Sequence, residues 1–390
     1  MKGMNILCST DRNFLYPTYV TMYSVIANHP DFSLTFYLLT DEDVSEEEKE
    51  KLAAFIRSEG HRIEFIAVDP APFADYVICE RFPLSAYYRL SAHRFLPAEA
   101  DRVLYLDGDV IVNADIYDDF YRLDFNGKHL IAASHNPDPA FYNLLDDTLV
   151  DLESAAKGEF FNSGVLLMNL DLFRKNDLSP SDYKAAYQSA ERQGFKVFYD
   201  QGLLNYMFYD KTLYLSSMDF NYRFSIPKDY ARRLDPKRKY KKAIVHYTGM
   251  KQPYKPWDLV LTEEEIALYG TVPYSNDYFY VSKELFVLFA LWWSYAGKTP
   301  VYEALRREAE IKTKWFRRNL LDFTLRHNAA MDKIKGKSSA PPEKREAAAE
   351  EVLRDFHPKA YRLGCLLLKP FWALKRLFAR IKARRQQKKK

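Results

Sequence analysis

The feature that most constrains this chain is the alternation of short apolar runs with helical periodicity across its first half. Asn5–Ser9, Leu34–Leu39, Arg62–Val68 and Val103–Leu106 read as strands. Between them, Pro17–Ala27, Asp41–Phe55 and Ser85–Phe95 read as helices, and Ser45 with its trailing glutamates gives the second of these an N-terminal signal. Largely apolar strands joined through helices specify an α/β fold with a mostly parallel sheet covered on both faces. Such sheets bind ligands beyond the carboxyl ends of their strands. The pattern continues with strands at Leu130–Ala133 and Val165–Asn169, a helix at Ser181–Arg192 and a short strand at Ala243–Val245. After about Trp257 it changes to helices, and no repeat of fixed period is present.

At 390 residues the chain is long enough for two or three domains, and at 47% hydrophobic it can bury a full core. Its 29 Tyr, 27 Phe and 5 Trp suit pockets for sugars or nucleobases, although aromatics serve first as core. The net charge of +4 hides an asymmetry: residues 356–390 hold 12 Lys and Arg and no acid, leaving 45 basic against 53 acidic residues before them. An acidic body argues against nucleic acid as a partner, and the basic tail suits an anionic surface. Cys8, Cys79 and Cys365 are odd in number and scattered, which argues against a disulfide framework and against a zinc site. The N-terminal apolar stretch is too short for a signal peptide. The longest apolar run, Leu285 to Trp293, falls far below the roughly 18–20 residues that span a bilayer. A cytoplasmic protein is expected.

The strongest local signal for chemistry is Leu104-Tyr105-Leu106-Asp107-Gly108-Asp109-Val110. Two carboxylates just past a buried strand can reach one divalent cation if the backbone turns, and Gly108 permits a turn. Hard oxygen ligands suit Mg²⁺ or Mn²⁺, which bridge diphosphates. Taken alone, the tripeptide is equally an Asp-Gly turn with solvated carboxylates. Ile244-Val245-His246-Tyr247-Thr248-Gly249 adds a histidine after a short strand, with Lys255-Pro256-Trp257 downstream. The histidine can complete a metal shell and the lysine can neutralise phosphate, whereas a lone histidine is more often structural. Glu159–Asn169 places a small polar turn, Asn162-Ser163-Gly164, at the entry of a buried strand; it could face a ligand or simply start the strand.

Together these segments resemble glycosyltransferase family 8, which includes bacterial lipopolysaccharide galactosyl- and glucosyltransferases and glycogenin. The resemblance spans about residues 4–260 and rests on Val103–Val110, Phe161–Asn169, His246-Tyr-x-Gly249 and Lys255-Pro-Trp257, in the family's order. It implies a GT-A fold and a retaining transfer of a hexose, glucose or galactose, from a UDP-sugar to a glycan or glycolipid acceptor, with Mn²⁺ or Mg²⁺. By the same resemblance, Asp107, Asp109 and His246 are the metal ligands, and Ser9, Asp11 and Asn13 hold uracil and ribose. Arg89 lies near the donor diphosphate and sugar, Asn162 and Gly164 contact the sugar, and Asp200 and Gln201 line the reaction centre. Gly249 and Lys255 clamp the diphosphate. Three extra residues before Lys-Pro-Trp make Lys251 a rival to Lys255. Gly202 stands where many relatives carry a second acid, and Asn136 stands near a position where some carry an aspartate; both bear on sugar specificity. A nucleotidyltransferase would need a glycine-rich triphosphate loop, and Ser9–Phe14 contains no glycine. A non-catalytic sugar-binding protein would have broken motifs, and all three metal-ligand candidates are present.

The expected organisation is a catalytic domain over 1–260, a helical extension over 261–334, a linker over 335–344 and a basic amphipathic region over 345–390. From Leu367, apolar residues recur at Phe371, Leu374, Phe378 and Ile381, one helical face, with Lys375, Arg376, Arg380, Lys382, Arg384 and Arg385 interleaved. Peripheral binding to the inner face of the cell membrane is the favoured reading, ahead of a packed helix or an RNA-binding tail.

Overall fold

The structure is a computed structural model that describes residues 2–40, 43–73, 76, 84–135, 160–193, 199–223, 241–248, 255–265, 274–276, 279–281 and 283–314. The first strand, β1 (Lys2–Thr10), is followed by a helical turn at Arg12–Phe14 and then α1 (Leu15–Asn28). Next come β2 (Phe32–Thr40), α2 (Glu46–Ser58) and β3 (Arg62–Ala67). Ser45 caps α2 with a complete capping box, its hydroxyl accepting from the Glu48 amide and the Glu48 carboxylate accepting from the Ser45 amide. A cap of this kind stabilises a helix by about 1 kcal/mol.

After β3 the expected helix Ser85–Phe95 is instead a 3₁₀-helix, Leu84–Ser91, followed by a single α-turn, α3 (Ala92–Phe95). The reason lies in carbonyls drawn off by side chains. The Ser9 hydroxyl donates to the Ser85 carbonyl (2.7 Å), Arg89 Nε to that of Ala86 (2.8 Å) and the Tyr183 hydroxyl to that of Leu90 (2.9 Å). Strand β4 (Arg102–Leu106) then runs through the core, and β5 (Val110–Val112) leaves it for a second sheet. The later elements are β6 (Ile131–His135), β7 (Phe161–Asn169), α4 (Leu170–Lys175), α5 (Pro180–Arg192), α6 (Tyr199–Phe208), β8 (Thr212–Leu215), α7 (Ser217–Phe220) and β9 (Ile244–His246).

The main sheet has the order β3-β2-β1-β4-β7-β6-β8. All pairings are parallel except those of β7, which runs antiparallel to β4 and β6. Both faces are buried, as the apolar runs require. Ile6, Cys8, Leu104 and Leu106 pack on one side with Val20 of α1 and Leu52 and Ile56 of α2. Leu7, Val103 and Tyr105 pack on the other with Tyr88, Leu90 and Phe173. Strand β5 pairs antiparallel with β9, and this places Val110 opposite His246.

The change to helices after Trp257 is interrupted by a two-stranded antiparallel hairpin, β10 (Tyr274–Asn276) and β11 (Phe279–Val281). Helix α8 (Lys283–Ala296) follows, and residues 302–314 are helical. Phe286, Phe289 and Trp292 of α8 join the α1 and α2 core. Helix α8 also buttresses the strand that carries His246, because the Tyr247 hydroxyl donates to the Leu288 carbonyl (2.6 Å). Among the described residues no helix is long and apolar enough to cross a membrane. The linker and the basic region, 335–390, lie outside the described residues.

Candidate active site

Several chain segments meet at the carboxyl ends of β1 and β4. Asp107-Gly108-Asp109 bridges β4 and β5, held by Asp107 N donating to the Gly164 carbonyl (2.9 Å) and Tyr247 N donating to the Asp109 carbonyl (2.9 Å). Gly108 is needed here for space and not for a left-handed backbone: a Cβ would stand 2.6 Å from Thr18 Oγ1 of α1. His246 ends β9. One ligand atom from each of Asp107, Asp109 and His246 lies within 4.8 Å of the others.

Each carboxylate is gripped through one oxygen and faces His246 through the other. Asp107 Oδ1 accepts from the Tyr105 hydroxyl (2.7 Å) and pairs with Arg89 (3.1 Å), while Oδ2 faces His246 Nε2 at 3.7 Å. Asp109 Oδ2 accepts from Lys255 Nζ (2.7 Å), and Oδ1 lies 3.0 Å from His246 Nε2. Burial pushes the Asp109 carboxyl up, but Lys255 and His246 outweigh burial and hold it well below the usual carboxylate range. Asp109 is therefore ionised and ready to accept a cation.

Gly164 closes the back of this cluster. A Cβ on it would stand 2.2 Å from His246 Cε1 and 2.4 Å from Asp107 Oδ2. The expected polar turn Asn162-Ser163-Gly164 is in fact part of strand β7, which begins at Phe161. Antiparallel pairing with β4, Leu106 opposite Val165, carries these residues to the Asp107 side of the sheet. A donor set of two carboxylates and an imidazole, in a cradle that any side chain at 164 would fill, fits a hard or borderline divalent cation.

Arg89 sits behind the carboxylates. Its Nη1 donates to the Ser163 carbonyl (2.7 Å), Nε lies 3.4 Å from Asp200, and the guanidinium stacks 4.0 Å over the Tyr105 ring. Burial opposes its charge, but Asp107 and Asp200 more than compensate, so its pKa rises. Asp200 is raised, by burial first and then by Asp107, against the opposing pull of Arg89. Gln201 Oε1 accepts from Asn162 Nδ2 (2.8 Å) and Ser163 N (3.2 Å). Gly202 is buried in α6.

The β1 loop is placed differently. The Ser9 hydroxyl is spent on Ser85, Asp11 caps the Arg12–Phe14 turn by accepting from Phe14 N (2.9 Å), and Asn13 is exposed on that turn. Phe14 brings the turn against Trp257, ring edge to face at 5.5 Å, beside Lys255. Gly249, Lys251 and Asn136 lie outside the described residues. Tyr105, Asn205 and Asn221 were assigned no role from sequence, and all three bond to the named site residues or their neighbours. Asn205 stands four residues after Gln201 and donates to its carbonyl (2.8 Å), a helical spacing that could have flagged it. Asn221 is 25 residues from His246 and carried no such signal.

A mostly parallel sheet with a carboxylate pair at a strand end, met by an imidazole from a small antiparallel sheet, is the arrangement of a GT-A glycosyltransferase. Residues 5–259 match the family described as Glycosyl transferase family 8, and the chain belongs to that family. It is similar to the lipopolysaccharide 1,2-glucosyltransferase of Escherichia coli K12, at 25% identity over 281 residues, 70% of this chain and 76% of that protein. It is also similar to the lipopolysaccharide 1,3-galactosyltransferase of Salmonella typhimurium, at 22% identity over 253 residues, 65% and 73% of the two chains. Among solved structures, the galactosyltransferase LgtC in complex with donor and acceptor sugar analogues superposes with a TM-score of 0.52 at 26% identity, covering 74% of this chain and 95% of that one.

Proposed function

We propose that the chain is a retaining hexosyltransferase that moves glucose or galactose from a UDP-sugar to a cell-surface glycan or lipid-linked acceptor. The observation that carries this is the Asp107–Asp109–His246 cluster at the strand ends of a family 8 chain. The relatives' lipopolysaccharide acceptors and glucosyl or galactosyl donors support the hexose and the cell-surface glycan. Asp107, Asp109 and His246 would hold Mn²⁺, or Mg²⁺, which supplies charge neutralisation to a bound diphosphate.

The protein's own part follows from the groups around that cluster. Lys255, 2.7 Å from Asp109, carries a positive charge that can turn to the departing diphosphate. Arg89 keeps Asp107 and Asp200 in fixed orientation and balances their charge in a buried setting. Gln201, held through Oε1 by two donors, would face the anomeric carbon as positive charge develops there, with Asp200 orienting the sugar. No side chain is placed as a nucleophile in this reading, so the acceptor attacks from the face that UDP leaves. Asn162 and Gly164 border the sugar, Gly249 joins Lys255 at the diphosphate, and Ser9, Asp11 and Asn13 border uracil and ribose. Residues 1–260 form the catalytic unit, followed by a helical extension to 334, a linker over 335–344 and a basic region over 345–390. That region docks the enzyme on the cytoplasmic leaflet beside a membrane-anchored acceptor.

The test is UDP release from a panel of nucleotide sugars, with and without EDTA. Hydrolysis of UDP-glucose or UDP-galactose that stops in EDTA and returns with Mn²⁺ is expected; equal activity in excess EDTA refutes the metal. Truncation after residue 363 should abolish co-sedimentation with anionic liposomes and leave hydrolysis intact. Full-length protein remaining in the supernatant at low salt refutes the membrane role.

A further inference from the structure

We infer that Asn221 is a positioning residue that sets the tautomer of His246 and ties that ring to Gln201 through Asn162. The inference rests on the proposed function for the cation and the reaction centre it connects.

The argument starts from two backbone amides, whose donor role is beyond choice. Gly164 N donates to one side-chain atom of Asn162 (3.2 Å), so that atom is the amide oxygen. The same oxygen is 2.9 Å from a side-chain atom of Asn221, which must then be its nitrogen. The remaining Asn221 atom is therefore oxygen, and it faces His246 Nδ1 at 3.0 Å. An amide oxygen only accepts, so Nδ1 carries a proton. Nε2 is left as the nitrogen aimed at Asp109 Oδ1 (3.0 Å) and Asp107 Oδ2 (3.7 Å), so a proton shared with those carboxylates is the one a cation would replace, while Nδ1 keeps its own.

The chain continues the other way with the same logic. With the Asn162 oxygen committed to Gly164 and Asn221, its nitrogen donates to Gln201 Oε1 (2.8 Å). Ser163 N donates to that same atom (3.2 Å), which independently fixes it as oxygen. Two backbone amides on β7 thus determine the direction of every bond from His246 to Gln201. Asn221 is itself held in place. It is fully buried directly after α7, and the next residue, Tyr222, is clamped to β9 by Tyr222 N donating to Ile244 O (2.8 Å) and His246 N donating to Tyr222 O (2.9 Å).

The two amide atoms of Asn221 do different work, so substitutions can separate them. Asn221→Asp keeps an acceptor for His246 Nδ1 and loses the donor to Asn162; Asn221→Ala loses both. Calorimetric titration of Mn²⁺ in the presence of UDP, with steady-state hydrolysis of UDP-galactose and UDP-glucose, reads the two halves. Asn221→Asp is expected to bind Mn²⁺ within about threefold of wild type and to lose at least about tenfold in kcat with KM little changed. Asn221→Ala is expected to lose about 10- to 100-fold in Mn²⁺ affinity as well. Equal loss of Mn²⁺ affinity in both variants, or wild-type kcat in Asn221→Asp, overturns the inference. Imidazole ¹⁵N spectra of His246 in the wild-type protein read the tautomer without any substitution: protonated Nδ1 is expected, and a neutral ring protonated at Nε2 overturns it. If wild type turns over neither UDP-sugar, the proposed function fails, while the metal titration and the spectra still decide the role of Asn221.

Discussion

Replacing Gly164 by alanine adds one methyl group, and the structure places that methyl in the Asp107–Asp109–His246 cluster. It would stand 2.2 Å from His246 Cε1, 2.4 Å from Asp107 Oδ2 and 3.0 Å from His246 Nδ1. Carbon–carbon contacts settle near 3.5 Å, so the imidazole must retreat by about 1 Å or β7 must yield. Metal–ligand distances tolerate about 0.2 Å, so a displacement of that size removes His246 or Asp107 from the shell. Loss of an outer-sphere partner alone costs about 10- to 100-fold in metal affinity, and direct displacement of a ligand should reach at least the upper end. Overpacking should cost a further 1–3 kcal/mol or so of stability, a drop of several degrees in Tm. Calorimetry of Mn²⁺ with UDP, alongside circular dichroism, separates the two effects. A folded Gly164→Ala protein that binds Mn²⁺ with wild-type affinity would refute the geometry on which the site is built.

Gln201→Ala should lower kcat by about 100-fold while leaving the affinity for UDP with Mn²⁺ within about threefold, because the proposed function assigns Gln201 to the reaction centre. Asp11→Ala should instead weaken UDP binding by about tenfold, since it removes the cap that shapes the Arg12–Phe14 turn; calorimetry that found the two effects reversed would contradict both assignments. Burial first of all lowers the pKa of His29, His61 and His93 below the ordinary imidazole range. The unfolded chain then binds more protons than the folded one as pH falls through about 6.5, so stability is full above that pH and declines below it. Metal-free protein should melt at a lower temperature at pH 5.5 than at pH 7.5, and an unchanged Tm would contradict the neutral burial of these rings.

The parts of this site that sequence exposed are those tied to strand ends. A buried strand must finish somewhere, and polar residues at its end point to the ligand side; that is why Asp107 and Asp109 after β4 and His246 at the end of β9 stand out. The geometry of Asn162-Ser163-Gly164 was less legible. Small polar residues read as a turn, but pairing between β7 and β4 overrides local preference and keeps them extended. The 3₁₀ stretch Leu84–Ser91 depends in part on the distant hydroxyl donors Ser9 and Tyr183, which no local pattern encodes. The Tyr274–Val281 hairpin is two strands of three residues each, too short for alternation to register. Asn221 is invisible for a further reason: its partner His246 lies 25 residues away across residues with no spacing rule, and only the clamp of Tyr222 on β9 brings the two together.

The most direct test of the account is anomalous diffraction at the manganese edge from crystals grown with Mn²⁺ and UDP. The account predicts one manganese peak within coordination distance of Asp107, Asp109 and Nε2 of His246, with the UDP diphosphate on its open side and Lys255 turned toward it. A peak bound through Nδ1 of His246, or an ion and UDP bound away from Asp107 and Asp109, would contradict it.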